Sequence, residues 1–193
     1  MIRRTVVVAL AATLLAGCVT RTDLMTRATQ NISDLRPASG KALVVFLRPE
    51  ERAEETQAVV YDGTQFIGVV SEFWAVAYQA DPGEHRFMVI SEAADFMDAD
   101  LAAGRTYYAQ IRPRMGAWRA RFSLRPLSVT ANARDIANWM TYCRLGIAND
   151  DGFRWAEENR PSVLEKKAKW EPVWVTKPDR PILHADDGKP ATD

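Results

Sequence analysis

The chain has 193 residues, 47% of them hydrophobic, which is enough to bury the core of one ordinary domain. Its 25 Lys and Arg balance its 25 Asp and Glu, so the whole-chain electrostatic attraction typical of a nucleic-acid-binding protein is missing. Two cysteines and two histidines are too few for a disulfide framework, a thiolate zinc site or a histidine metal site, so no metal and no cofactor is predicted.

The first 17 residues have the layout of a bacterial export signal. Arg3 and Arg4 give a cationic start, and an apolar run follows over residues 6–16. This run is shorter than the about 20 residues that a membrane-spanning helix needs. The sequence therefore predicts a signal peptide over residues 1–17 rather than a transmembrane segment.

The signal ends in Leu15, Ala16, Gly17 and Cys18, which resembles the lipobox of bacterial lipoproteins. The resemblance implies a diacylglycerol group on the Cys18 thiol, cleavage after Gly17, and a further acyl chain such as palmitate on the new amino group. It also implies a lipid-anchored protein of the cell envelope that faces the periplasm. The absence of Asp directly after Cys18 favours the outer membrane.

Residues 18–40 are polar and lack a sustained apolar period, so we predict a lipidated N-terminus followed by a flexible tether. A flexible segment of this length has a root-mean-square reach of about 25 Å, enough to hold the folded body clear of the lipid headgroups. The alternative is that the segment packs on the body.

Residues 41–127 alternate short β-branched and aromatic runs with turn signals, a pattern typical of an antiparallel β-sandwich. Asp62-Gly63 indicates a tight hairpin, and Pro82-Gly83 indicates a second turn. Seven strands are predicted, over residues 42–48, 58–62, 65–70, 73–79, 85–91, 106–112 and 118–124. The predicted fold is thus mainly β, with about seven strands.

Four runs in this segment are similar to a known family: KALVVFLRP, VYDGTQFIG, DPGEHRF and AGRTYYAQI. They resemble the β-domain of bacterial lipoproteins called domain of unknown function 2846. The resemblance covers about residues 41–127 and lies in turn and core residues. It therefore implies the fold and the envelope location, and it implies no activity.

A helical extension is predicted over residues 128–172, because the apolar period there becomes helical. Asn132 is placed to cap a first helix that ends near Gly146. Its apolar face consists of Ile136, Met140, Cys143 and Ile147.

A second, shorter helix is predicted from Pro161 to about Lys169, because proline is favoured in the first turn of a helix. Residues 173–193 are rich in proline and charge and lack periodicity, so they are predicted to form a flexible tail.

Glu84 and His85 are the only acid and base that suggest catalysis. The alternative is that His85 bonds to the turn that it follows. The chain lacks the GxSxG motif of a hydrolase nucleophile, so no catalytic residue is assigned and the protein is predicted not to be an enzyme.

The acidic residues Glu92, Asp95, Asp98 and Asp100 supply the oxygen ligands that Ca²⁺ prefers. Their spacing fits no EF-hand, so we predict a solvated acidic loop. Cys143 is predicted to be a buried hydrophobic residue, with a reactive surface thiol as the alternative.

Arginines are predicted to line one face of a hairpin. Alternate residues of a strand share a face, which brings together Arg112, Arg114, Arg119, Arg121 and Arg125. Facing like charges destabilise a hairpin unless an acidic group lies between them. The first alternative is that this chain supplies the acidic group, from the acidic loop or the helical extension. The second is that an envelope component supplies it, such as a peptidoglycan carboxylate, a lipopolysaccharide phosphate or the acidic face of a partner protein.

Trp170 and Trp174 form a second candidate contact site, because exposed aromatic rings are favoured in sugar and protein recognition. The alternative is that both rings clamp the extension onto the body. We therefore predict a non-enzymatic envelope lipoprotein that serves as a structural or interaction module. The alternative function is binding of a glycan or anionic polymer through the arginines or the tryptophans.

Overall fold

The computed structural model describes residues 22–50, 56–114 and 121–191. Within these ranges the protein is mainly β, with twelve strands in two sheets and three α-helices. The strands are β1 Met25–Arg27, β2 Ala42–Arg48, β3 Ala58–Asp62, β4 Gln65–Val70, β5 Trp74–Ala80, β6 Gly83–Ile90, β7 Ala94–Leu101, β8 Arg105–Arg114, β9 Arg121–Leu127, β10 Arg144–Ala148, β11 Ile182–Leu183 and β12 Lys189–Pro190. The helices are α1 Ala133–Tyr142, α2 Asp150–Glu158 and α3 Arg160–Val175.

The larger sheet has the strand order β1-β10-β5-β2-β8-β12, with β9 also paired to β8, and the smaller sheet has the order β11-β7-β6-β3-β4. The prediction of a mainly β fold is confirmed. The prediction of purely antiparallel pairing is wrong, because β2 with β8, β10 with β5 and β11 with β7 are parallel pairs. Four of the five strands of the smaller sheet, β3, β4, β6 and β7, lie between β2 and β8 in the sequence.

The two sheets enclose a common core. Side chains from both sheets belong to one buried cluster, in which the rings of Phe46 and Phe87 meet edge to face at 5.1 Å. A second cluster covers the outer face of the larger sheet, under α1 and the segment around Ile32. Strand β2 is buried at all seven positions because it has a packed layer on each side.

The predicted tether is wrong for the part of it that the structure describes. Leu24, Met25 and Ile32 are buried, and β1 pairs with β10. Met25 anchors this segment, because its Sδ atom accepts a hydrogen bond from the backbone N–H of Val69 at 3.3 Å and its side chain lies in the main core. The predicted signal peptide, the lipobox and Cys18 lie outside the described residues.

The predicted first helix ends early, at Tyr142, and Ile147 belongs to strand β10 instead of the helix. Gly146 is not a helix terminator. It lies in β10, where a Cβ atom would come within 2.9 Å of Cε3 of Trp74 on the neighbouring strand. The extension is therefore not a separate unit over residues 128–172, since it contributes a strand to the larger sheet.

The predicted flexible tail is also wrong over the described residues 176–191. Strand β11 pairs with β7 in the smaller sheet and β12 pairs with β8 in the larger one. Between them Gly188 lies against Tyr107, where a Cβ atom would come within 2.6 Å of Cε1 of the ring. The tail therefore fastens the edges of both sheets. Helix α3 also extends past the predicted end at Lys169 and accommodates Pro172.

Candidate interaction surface

Strands β8 and β9 bring together the predicted arginines that the structure describes. Arg114 lies directly opposite Arg121, Arg112 opposite Ser123, and Arg125 opposite Gln110. Directly opposed residues share a face of the sheet. The predicted shared face is therefore confirmed for these four arginines, and Arg119 lies outside the described residues.

Two of these arginines are neutralised within the chain. Nη2 of Arg114 donates to Oδ2 of Asp95 at 2.7 Å, and Nε of Arg121 lies 3.7 Å from Oε2 of Glu92. Asp95 is only 8% exposed, and burial of a carboxylate is costly unless such partners pair with it. For these two arginines the acidic partner is the chain itself, as in the first of the two alternatives drawn from the sequence.

Arg112 and Arg125 remain at the surface. Both are exposed, and neither forms an ion pair with any residue in the described ranges. Nη1 of Arg125 lies 3.5 Å from the amide oxygen of Gln110, at the limit of a hydrogen bond. These two guanidinium groups are the part of the arginine face that is open to an external anion.

Three of the four residues of the predicted acidic loop lie in strand β7, and basic side chains engage two of them, Asp95 and Asp98. Asp95 also lies 3.4 Å from Nζ of Lys177, and Asp98 accepts two hydrogen bonds from Arg86, at 2.7 and 3.3 Å. Asp98 further lies 3.9 Å from Nε of Arg180. Asp95 and Asp98 therefore act as counterions that hold the segment after α3 to the smaller sheet.

Trp174 is 2% exposed and lies in the core against Phe96, with ring centroids 5.7 Å apart. The guanidinium groups of Arg86 and Arg180 lie 5.1 and 5.5 Å from its ring centroid. The prediction of an exposed contact site is wrong for Trp174, because its indole is the apolar clamp that fixes α3 to the sheet. Trp170 is half-buried, packs against the same core and lies 5.7 Å from the guanidinium of Arg121.

Glu171 completes the attachment of α3. Its carboxylate accepts a hydrogen bond from Nη1 of Arg86 at 3.1 Å and pairs with Lys167. Partial burial opposes the charged form of Glu171, but the hydrogen bonds and charges of Lys167 and Arg86 outweigh it and hold the pKa below its usual range. The helix is thus attached by one buried ring and a surrounding set of ion pairs.

The structure separates Glu84 from His85, because consecutive residues of β6 point to opposite faces. His85 instead faces Asp62, with its Nδ1 2.7 Å from Oδ2, while its Nε2 lies 2.8 Å from the backbone oxygen of Asp81. The imidazole also stacks on Phe87, with the ring planes 6° apart. His85 therefore holds the turn before β6 to strand β3, which is the alternative role drawn from the sequence.

Cys143 directly follows α1 and is 8% exposed, in agreement with the predicted buried position. Burial raises the pKa of its thiol to about 12. A thiol with this pKa is a poor nucleophile at neutral pH, so the alternative of a reactive surface thiol is wrong.

Sequence reasoning missed Arg48, which is fully buried at the end of β2. Its Nη1 donates to the backbone oxygens of Thr56 at 2.8 Å and Val70 at 3.0 Å, and its guanidinium lies 4.6 Å from the ring centroid of Phe122. Burial lowers the pKa of Arg48 to about 10, and the nearby charge of Glu72 opposes this shift. Arg48 therefore ties the two sheets together at one end, and no local sequence pattern marks it as buried.

A strip of exposed apolar side chains was also missed. Ile147, Phe153 and Leu164 are 58%, 54% and 42% exposed, and we call them the apolar strip. A cleft of about 400 Å³ joins Ile147 to Phe153, and a second cleft of about 270 Å³ joins Phe153 to Leu164. Phe66 forms part of the floor of both clefts and meets Phe153 edge to face at 5.8 Å.

The apolar strip adjoins the first described residues of the chain. Thr26 of β1 lies opposite Ile147 of β10, and Nδ2 of Asn149 donates to the backbone oxygen of Asp23 at 2.7 Å. Gly152, next to Phe153, packs so closely on Leu24 that a Cβ atom would come within 2.4 Å of the Leu24 carbonyl oxygen. The chain therefore enters the folded body beside this strip.

Comparison of the chain with protein-family models, with curated proteins and with solved structures found no match in any of the three. Among the described residues, the helices are too short or too polar for any of them to span a lipid bilayer.

Proposed function

We propose that the protein is a lipid-anchored lipoprotein of the bacterial cell envelope, held at the membrane through Cys18 and facing the periplasm, with the outer membrane as the favoured location. Its body is a non-enzymatic structural or interaction module. The order of cationic start, apolar run and lipobox supports the anchor. Several acyl chains on one residue hold a protein on a membrane almost permanently.

One observation carries the proposal of a membrane-apposed module: the fold begins almost at the anchor. Thr22 starts the first described turn, and Leu24 and Met25 are already buried. Four residue steps separate Cys18 from Thr22, and a fully extended chain covers at most about 14 Å over that distance. An acylated Cys18 therefore keeps the body against the lipid headgroups.

We also propose that the body is a β-sandwich related to domain of unknown function 2846. Support comes from the positions of the motif residues in the fold. Asp62-Gly63 forms the turn between β3 and β4, Gly83 begins β6 and Gly104 precedes β8. All three glycines have positive φ angles, which other residues rarely adopt, so the shared motif residues occupy positions that require them.

The experiment is metabolic labelling of the full chain with a palmitate analogue in a Gram-negative host, followed by intact mass measurement and membrane fractionation. We expect a triacylated product that begins at Cys18 and sediments with the membrane. Cys18→Ser should remove the label and release the chain from the membrane, whereas Cys143→Ser should keep both. An unacylated wild-type chain that retains residues 1–17 would overturn the proposal.

A second candidate function, binding of an anionic envelope polymer, is favoured by one observation. Arg112 and Arg125 are exposed on one face of the β8–β9 hairpin, and arginine is suited to carboxylate and phosphate. Sedimentation with purified peptidoglycan and with lipopolysaccharide micelles tests this binding. The test variant carries both Arg112→Gln and Arg125→Gln, and the control variant carries Arg134→Gln and Arg144→Gln at two other exposed arginines. Equal sedimentation of the two variants would exclude this site.

A further inference from the structure

The apolar strip contains three of the exposed large apolar side chains of the described residues, brought together by three separate elements. Ile147 comes from β10, Phe153 from α2 and Leu164 from α3. Exposed apolar groups that form a contiguous patch mark an interaction site more often than single ones do. The strip is therefore a candidate interaction site.

The position of the proposed lipid anchor indicates what the apolar strip contacts. If the body is held within four residues of the acylated Cys18, the surface around Asp23 and Thr26 is the surface nearest the bilayer. The contacts of Asp23 with Asn149 and of Thr26 with Ile147 place the strip on that same surface. Among potential occupants, lipid is the one that the point of chain entry favours.

A tethered body also needs little affinity to stay docked. A short linker gives the second contact an effective concentration in the millimolar range, so that a patch with weak intrinsic affinity is bound most of the time. Apolar side chains of a surface helix bury about 5–10 Å into the boundary between headgroups and acyl chains. Phe153 and Leu164 lie exposed on two adjacent helices, so both side chains can enter this boundary region together.

The charges around the strip favour a neutral lipid surface. Nη1 of Arg154 pairs with Asp151 at 2.7 Å, and Nη1 of Arg160 lies 3.6 Å from the carboxylate of Glu157. Helix α2 also carries Asp150 and Glu158, so acidic groups outnumber basic ones beside the strip and give it no attraction for an anionic surface. Docking is therefore expected on zwitterionic lipid, with little dependence on salt.

We propose that the apolar strip, Ile147, Phe153 and Leu164, inserts into the lipid interface beside the Cys18 anchor and thereby fixes the orientation of the body on the membrane. This inference rests on the proposed function, since the anchor supplies the proximity. It goes beyond that function by assigning a lipid-binding surface and an orientation. The arginine face and the attachment site of Trp174 belong to other parts of the molecule.

The test uses the full acylated chain in phosphatidylcholine vesicles, with an environment-sensitive fluorophore on one introduced cysteine. The labelled variants are Ile147→Cys, Phe153→Cys and the control Val173→Cys. Val173 is 56% exposed and flanks the buried Trp174 of α3, as Leu164 flanks the buried Val163. At about 100° per residue, Leu164 and Val173 lie on opposite flanks of this helix.

We expect blue-shifted emission and strong quenching by lipid-borne nitroxides at positions 147 and 153, and quenching by aqueous iodide at position 173. With the fluorophore at 147, adding Phe153→Ser should reduce the nitroxide quenching, and adding Val173→Ser should not. The parent chain treated with the same reagent gives the background from Cys143.

Three outcomes would contradict the proposal, and they differ from one another. Acylated chains with equal iodide quenching at all three positions would overturn the inference and leave the proposed anchor intact. Chains that carry no acyl group would overturn the proposed function and the inference together. Protection at 147 and 153 that appears only at high protein density, without nitroxide quenching, would identify a second copy of the chain as the occupant.

Discussion

Nδ1 of His85 lies 2.7 Å from Oδ2 of Asp62. The other ring nitrogen lies 2.8 Å from the backbone oxygen of Asp81, so both ring nitrogens have a partner within hydrogen-bond distance. We expect His85→Ala to lower the free energy of unfolding by about 2 kcal/mol, since it leaves the half-buried Asp62 without this partner. Urea denaturation measures this loss, with the exposed neighbour Glu84→Ala as the control. Equal losses in the two variants would contradict the structural role.

Arg48 is expected to be among the most costly positions to change. Arg48→Met keeps much of the side-chain volume but leaves the carbonyls of Thr56 and Val70 and the charge of Glu72 without the guanidinium. Loss of one partner from a buried charged set costs about 3 kcal/mol. Thermal unfolding should show it, and Arg48→Lys should recover only part of the stability because an ammonium group has no planar fork. A wild-type midpoint for Arg48→Met would disprove this account.

Glu171 is expected to make the attachment of α3 sensitive to acid. Its pKa in the folded protein is depressed, so its stabilising contribution is complete above the ordinary glutamate value of about 4.3 and is lost as the pH falls through the lower folded value. Glu171→Gln should cost about 1 kcal/mol at pH 7 and flatten the loss of stability at low pH. Unfolding measured from pH 7 to pH 3 tests this, with the exposed Glu165→Gln as the control. Parallel pH profiles for Glu171→Gln and the wild type would refute the assignment.

Gly152 is expected to control how the N-terminal segment is held. Gly152→Ala places a methyl group within 2.4 Å of the backbone oxygen of Leu24, and a backbone atom cannot give way as a flexible side chain does. Residues 22–27 should therefore separate from α2. Hydrogen exchange should become faster over this segment and stay unchanged in β2, while Ala156→Gly in the same helix should lack the local effect. Unchanged protection over residues 22–27 would show that this contact does not hold the segment.

The strands that could be predicted are those that consist of one short apolar run bounded by turn residues. The bounds of β2, β3 and β4 agree with the prediction, because β-branched runs there end at clear turn residues such as Gly63. Strand β7 was missed because Asp95, Asp98 and Asp100 resemble a solvated loop. Arg114 and Arg86, the partners of Asp95 and Asp98, come from other strands, so the neutralisation of these two charges is not a local property of the sequence.

The extension was misread for a related reason. The strand-forming role of Gly146 depends on Trp74, about 70 residues earlier in the chain, and helix α3 buries only Val163 and Trp174, which gives no clear helical period. Among the candidate sites, the sequence located the arginine face and the buried Cys143. The apolar strip was not predicted, since its three members come from three elements and share no spacing along the chain.

The pairing of β1 with β10 has a consequence for the order in which the protein forms. Met25 lies opposite Ala148, so this part of the sheet can close only after more than three-quarters of the polypeptide is available. Contacts over such long sequence separations form slowly, because the entropy lost in closing the loop precedes the gain in contact energy. Strand β1 therefore lacks its pairing partner β10 during the early stages of folding. If Cys18 is acylated as proposed, the delay in closing β1 onto β10 leaves time for its processing before this part of the sheet forms.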